Sequence, residues 1–192
     1  SNKAVDVDRA ICLESITGKD KAAIKIGMEM GVTHYALSFA NTSDDVEQIR
    51  ALIGDDSKLI SKIESKSGLE NLEKILKVTD AILIDRGDLS RQIPIEKIPF
   101  LQRKIIATSK YYRVPVYVAT NLLESMIVTN LPTRAEVNDV VSTLLMGADG
   151  LVLAAETGIG NYPVETTRMI NKLISEYEKW TPNTDINQII KS

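Results

Sequence analysis

Cysteine is nearly absent from this chain: among 192 residues only Cys12 carries a thiol. One cysteine excludes an internal disulfide, so an isolated buried thiol in a reducing, cytoplasmic setting is expected. Histidine is as scarce. With His34 alone and no cysteine cluster, the Cys/His sets that hold zinc are excluded, and His34 is expected to be structural rather than a ligand. Long apolar runs are missing as well. No stretch of about 18 apolar residues occurs, and no basic segment followed by an apolar one opens the chain, so membrane spanning and secretion lack support. Charge of one sign is weak: the formal net charge is -3, and no Lys/Arg run exceeds two residues. Such a surface does not attract a phosphate backbone at long range, which argues against nucleic acid as a partner.

What is present is the composition of a soluble globular domain, 44% hydrophobic and 26% charged. Apolar runs of strand length recur at 32–39, 59–63, 81–84, 114–118 and 151–155. Helical patterns with start signals lie between them. Thr42 with Asp45 predicts a capped helix carrying Val46, Ile49, Leu52 and Ile53 and ending at Gly54. Ser67 with Glu70 reads as a capping box before Leu72, Ile75 and Leu76, and Thr133 with Glu136 as another, before Val137, Val140 and Leu144. Val- and Ile-rich strands buried on both faces and separated by amphipathic helices describe parallel β/α units. Residues 1–180 read as one such segment. The polar stretch 181–192, which contains Pro182, reads as a peripheral tail.

The chemistry-bearing residues share a position. Ser38, Glu64, the group 85–88, Thr120 and Glu156 fall at or just beyond the carboxyl ends of strands, where β/α barrels and open α/β sheets assemble their sites. In ISKIES, Lys62 and Glu64 are two apart on a strand and project from one face. An ammonium and a carboxylate there need each other, a metal or a substrate; a structural salt bridge at the rim is the plain alternative. In DRGDLS, Gly87 lets the backbone approach a ligand, the amides that follow can hold an anion at a helix start, and Asp88 offers a hard oxygen. Two carboxylates from neighbouring strands suit Mg²⁺ or Mn²⁺. The Arg-Gly-Asp triplet as an adhesion signal is set aside, because a three-residue match that follows a buried strand carries little information. Thr120 ends an apolar strand, where a hydroxyl can relay a proton or satisfy local backbone, and Glu124 and Ser125 lie just past it. Glu156 is read as a cap of the following turn.

Taken together, ISKIES, GLENLEKIL, DRGDLS, VATNLLESMI, PTRAEVNDVV, GADGLVL and AET through YPVET resemble the pyruvate kinase family in order and spacing, over roughly residues 13–174. The resemblance implies a TIM-type (β/α)₈ barrel site that moves phosphate between phosphoenolpyruvate and ADP in glycolysis. It implies that Lys62 stabilises the enolate and the phosphoryl group, and that Glu64 and Asp88 hold Mg²⁺ or Mn²⁺. It further implies that the amides of Gly87 and Asp88 hold the carboxylate of pyruvate or phosphoenolpyruvate, and that Thr120 sits beside the carbon that is protonated.

Departures from the family pattern accompany the match. Asp85 replaces the alanine usual in ARGD, and Asn41 replaces the arginine usual in SFVR; Ser90 and Ala155 are milder changes. If Asp85 faces inward, its carboxylate enters the space of the substrate's own or pairs with Lys62. The resemblance implies three leading strands, a lid and a regulatory domain that this stretch is not expected to supply. About five parallel strands are therefore expected, completed by a longer chain, a partner or a second copy, since open strand edges are normally covered. Kinase activity from this chain alone is not expected, and K⁺ and ADP or ATP enter only if the missing part is supplied. Two alternatives stand beside phosphotransfer: a module that binds Mg²⁺ and a 2-oxo acid, for enolisation or sensing, and a non-catalytic scaffold.

Overall fold

A computed structural model describes residues 16–191; Cys12 lies outside the described residues. In chain order the elements are α1 (Gly18–Glu29), β1 (His34–Leu37), α2 (Ser43–Ile53), β2 (Lys58–Ile63), α3 (Lys66–Glu70), α4 (Leu72–Ile75) and β3 (Ala81–Asp85). They continue as α5 (Arg86–Gln92), α6 (Ile98–Tyr112), β4 (Val116–Ala119), α7 (Arg134–Leu145), β5 (Gly150–Val152), α8 (Ala155–Gly158), α9 (Pro163–Lys179) and α10 (Ile186–Lys191). The five strands form one sheet in chain order, and every neighbouring pair is parallel. Parallel neighbours require a crossover between strands, and helical segments supply each one. This is the α/β architecture that the alternation of strand and helix patterns predicts, with five parallel strands of a barrel-type segment.

Register decides what the core is made of. Ser61 stands opposite Ile82 and Ile63 opposite Ile84, while Ile82 faces Val116 and Ile84 faces Val118. All of these are buried. The apolar ones pack with Val46, Ile49 and Ile53 of α2, Leu72 and Ile75 of α4, and Ile105 and Ile106 of α6. Each isoleucine or leucine fully removed from water contributes roughly 1.5–3 kcal/mol, so this layer is the main source of cohesion. On the other face Ala36, Ile60, Lys62, Leu83, Tyr117 and Val152 are exposed or half-buried, while Ala81, Asp85 and Ala119 are buried. The expectation of burial on both faces thus holds fully for the helix-covered face and only in part for the second.

The caps at Thr42 and Thr133 form as expected: each threonine accepts from the amide three residues on, and Asp45 or Glu136 reaches back to the threonine amide. The third cap differs. Ser65, not Ser67, opens α3 by accepting from the Gly68 amide at 3.0 Å, and Glu70 instead pairs with Lys66. A Cβ on Gly68 would stand 2.7 Å from the Ala40 carbonyl oxygen, so this start is pressed against the loop after β1.

Strand limits shift by up to three residues from the apolar runs. β4 begins at Val116 because the Val114 amide is drawn to the Ser109 carbonyl of α6 and Pro115 has no N–H to offer. β5 ends at Val152 because the chain turns at Ala154 into α8. Beyond Trp180 the chain turns through Thr181 and Thr184 into α10. A cavity of about 690 Å³ lies there against Val141, Leu145, Tyr177 and Trp180.

Candidate active site

Strand alternation places Lys62 and Glu64 side by side at the carboxyl end of β2, and their groups meet: Lys62 Nζ lies 2.6 Å from Glu64 Oε1. Glu64 is buried, and its other oxygen accepts the Phe39 amide at 2.6 Å. Phe39 reaches that position through a left-handed backbone, with φ of 50°. The carboxylate therefore joins the ends of β1 and β2. On β3, the register that pairs Ile63 with Ile84 brings Asp85 next to Glu64. Asp85 faces inward: its Oδ2 is 3.6 Å from Lys62 Nζ and its Oδ1 is 3.3 Å from Thr120 Oγ1.

Thr120 follows β4 with φ of 69° and Asn121 with φ of 53°. A left-handed conformation in two successive non-glycine residues needs outside support. Arg86 provides it, donating to the Thr120 carbonyl at 2.6 and 3.1 Å and to the Asn121 carbonyl at 3.1 Å. Its remaining nitrogen pairs with Asp139 of α7 at 2.6 Å. Thr120 Oγ1 accepts the Gly87 amide at 2.9 Å, and its one proton goes chiefly to the Ala119 carbonyl at 2.6 Å, Asp85 being the longer alternative. The sequence places Arg86 within the group 85–88 at the strand end but gives it no role of its own. The visible signal was a cation placed directly after a buried strand, but its partners lie 16 to 53 positions away.

Asp88, in the first turn of α5, completes the group. Glu64, Asp85 and Asp88 each offer a carboxylate oxygen, and these lie within 4.8 Å of one another. An all-oxygen, all-carboxylate set fits a hard divalent cation and lacks the nitrogen and sulfur donors that zinc favours. Burial alone would lower the Lys62 pKa, but the hydrogen bond and charge of Glu64, with the charge of Asp85, outweigh it and hold the ammonium above the usual lysine range. Lys62 is thus a fixed cation rather than a proton acceptor at neutral pH.

Other candidates fall outside this group. Asn41 is bound by Ser65 through its side chain and by Asn71 through its carbonyl, so it braces the start of α3. Glu156 is not a simple cap: one buried oxygen takes the Leu122 and Leu123 amides at 3.1 and 3.3 Å and the other the Ala154 amide at 2.9 Å. It ties the loop after β4 to the loop after β5. Ser125 is held by Glu136, and Glu124 by Asn121. His34 opens β1, exposed, with Nδ1 2.9 Å from Thr33 Oγ1. Ser90 donates to the Gly87 carbonyl, and Ala155 is the exposed first residue of α8.

A parallel β/α sheet with an ammonium, three carboxylates and a hydroxyl gathered at the carboxyl ends of three successive strands defines a protein of the β/α-barrel class. Comparison with known proteins narrows the class. Residues 1–167 match the family profile "Pyruvate kinase, barrel domain". Pyruvate kinase of Thermotoga maritima is 47% identical over 182 residues, covering 92% of this chain and 39% of that protein. Pyruvate kinase 1 of Candida glabrata is 43% identical over 186 residues (94% of this chain, 36% of that protein), and an Agrobacterium vitis pyruvate kinase is 40% identical over 180 (93% and 37%). The chain belongs to the pyruvate kinase family. It spans little more than a third of the length of these curated relatives. Among the described residues no helix is long and apolar enough to cross a membrane.

Proposed function

We propose that this chain carries the lysine, acid and hydroxyl groups of a pyruvate kinase-type phosphotransfer between phosphoenolpyruvate and ADP, acting within a completed barrel. One observation carries the reading: Lys62, Glu64, Asp85, Asp88 and Thr120 converge from β2, β3 and the segments that follow β3 and β4. Glu64 and Asp88 are the residues that would hold Mg²⁺ or Mn²⁺. A bound divalent cation supplies Lewis-acid stabilisation of negative charge on a ligand oxygen. Lys62, held charged at neutral pH, stabilises the negative charge that develops on an enolate oxygen or a phosphoryl group placed beside it. Thr120 Oγ1, oriented by the Gly87 amide, stands where a hydroxyl can pass a proton at the rim. Gly87 presents no side chain, so a ligand can approach the backbone between Asp85 and Thr120.

The sheet edges at β1 and β5 support completion by further strands, from a longer chain or another copy, and the nucleotide and K⁺ belong to that completed assembly. The test is a coupled assay of the full protein with Mg²⁺, K⁺, phosphoenolpyruvate and ADP. Pyruvate formation is expected; none from a folded, completed protein would overturn the reading. The inward carboxylate of Asp85 favours a second reading, a module that binds the cation and a 2-oxo acid without phosphoryl transfer. That reading predicts oxalate binding to the Mn²⁺-loaded protein with no turnover.

A further inference from the structure

Asp85 changes the electrostatics of the strand ends by one full charge. Lys62 balances one of the three carboxylates, and the exposed Arg91 lies 3.4 Å from Asp88. Asp85 is the additional acid, and it does not turn away from the others. It is 9% exposed, its two oxygens are directed at Lys62 Nζ and Thr120 Oγ1, and one oxygen lies within 4.8 Å of oxygens from Glu64 and Asp88. A Cβ built on Gly87 would stand 3.5 Å from both Asp85 Oδ1 and Thr120 Oγ1, so the open space over that glycine is bordered by these two oxygens. The Lys62 ammonium that an incoming anion would use thus already faces a resident carboxylate, and the Thr120 hydroxyl, turned chiefly to the Ala119 carbonyl, has that carboxylate as its second acceptor. A ligand carboxylate must displace Asp85 from them or share them against like-charge repulsion.

We propose that Asp85 sets the charge preference of this site: as a third carboxylate it strengthens the hold on a divalent cation and weakens the hold of the cation-loaded site on an anionic ligand of the 2-oxo-acid class. The inference rests on the reading of Glu64 and Asp88 as cation ligands. One charge acts on both ligands with opposite sign, and that opposition separates it from a purely structural role, which would weaken both.

The test titrates Mn²⁺ into the full protein and into its Asp85→Ala and Asp85→Asn variants, followed by electron paramagnetic resonance of the free ion. Oxalate is then titrated into each Mn²⁺-saturated protein by calorimetry. Both variants are expected to bind Mn²⁺ about tenfold more weakly and oxalate about tenfold more tightly, a modest effect for a unit charge at contact distance. Asp85→Asn preserves size and an acceptor for Thr120, so the same paired shift in that variant excludes a packing cause. Unchanged affinities, or two affinities that move in the same direction, would overturn the proposal while leaving the cation reading intact. Mn²⁺ bound by none of the three proteins would overturn the cation reading and this proposal with it.

Discussion

Lys62 is the residue on which the proposed chemistry depends most directly, because it is the cation held between two acids at the strand ends. Its raised pKa keeps it charged below the ordinary lysine value, and the charge is lost only as pH rises through the higher folded value. Lys62→Met is expected to lower kcat of the full protein about 100-fold or more, the scale of losing one stabilising donor. Mn²⁺ should bind that variant at least as tightly as the parent, since Glu64 and Asp85 lose their counter-charge; calorimetry alongside the coupled assay checks both. The pairing of Lys62 with Glu64 was legible in the sequence, because alternation along a strand puts them on one face. The inward direction of Asp85 was legible only as a condition, since it depends on a register between two strands that no local pattern encodes. The role of Arg86, unlike its place in the group 85–88, was hidden for the same reason. Its work is done on carbonyls of a different loop and on Asp139 in a helix more than fifty residues later.

At the scale of elements, the most consequential joint is the start of α3, because it follows Glu64 directly and packs under the loop that presents the Phe39 amide. Ser65 caps it, Asn41 receives the Ser65 hydroxyl, and Gly68 sits against Ala40. Gly68→Ala places a methyl carbon 2.7 Å from a backbone oxygen that has no free side chain to move. The substitution is expected to cost about 1–3 kcal/mol, read as a shift in the urea midpoint, and, under the proposed function, to raise the KM for phosphoenolpyruvate as Glu64 shifts. An unchanged midpoint would mean that the loop after β1 yields freely. This joint also shows why one cap was misplaced. Ser67 and Glu70 satisfy the capping-box spacing as well as Thr42 and Asp45 do, but two serines compete, and the tertiary contact at Gly68 selects Ser65. Strand limits were blurred for a related reason: apolar residues such as Val114 and Leu153 belong to the core without belonging to the ladder.

Across the whole molecule, the two ends of the sheet do different work. Site residues gather at the carboxyl ends, while at the amino ends an acid just before a strand fastens the neighbouring strand. Asp80, before β3, accepts the Leu59 amide of β2 at 2.7 Å and pairs with Arg50 of α2. Asp149, before β5, accepts the Val116 amide of β4 at 2.9 Å and pairs with Lys110 of α6 at 2.9 Å. Burial alone would raise both pKa values. The Leu59 amide and Arg50 hold Asp80 below the ordinary carboxylate range, and Lys110 and the Val116 amide do the same for Asp149. Because the folded pKa values are depressed, this stabilisation is fully present above the unfolded value of about 3.9 and is lost as pH falls through the folded values. Urea midpoints of the protein should therefore fall steeply below about pH 4, where the unfolded chain takes up protons that the native fold resists. An Asp80→Asn/Asp149→Asn variant should be less stable at pH 7 yet lose less on acidification, so the two curves converge toward pH 2–3. Parallel curves would show that other carboxylates carry the acid sensitivity and that these two act through geometry alone.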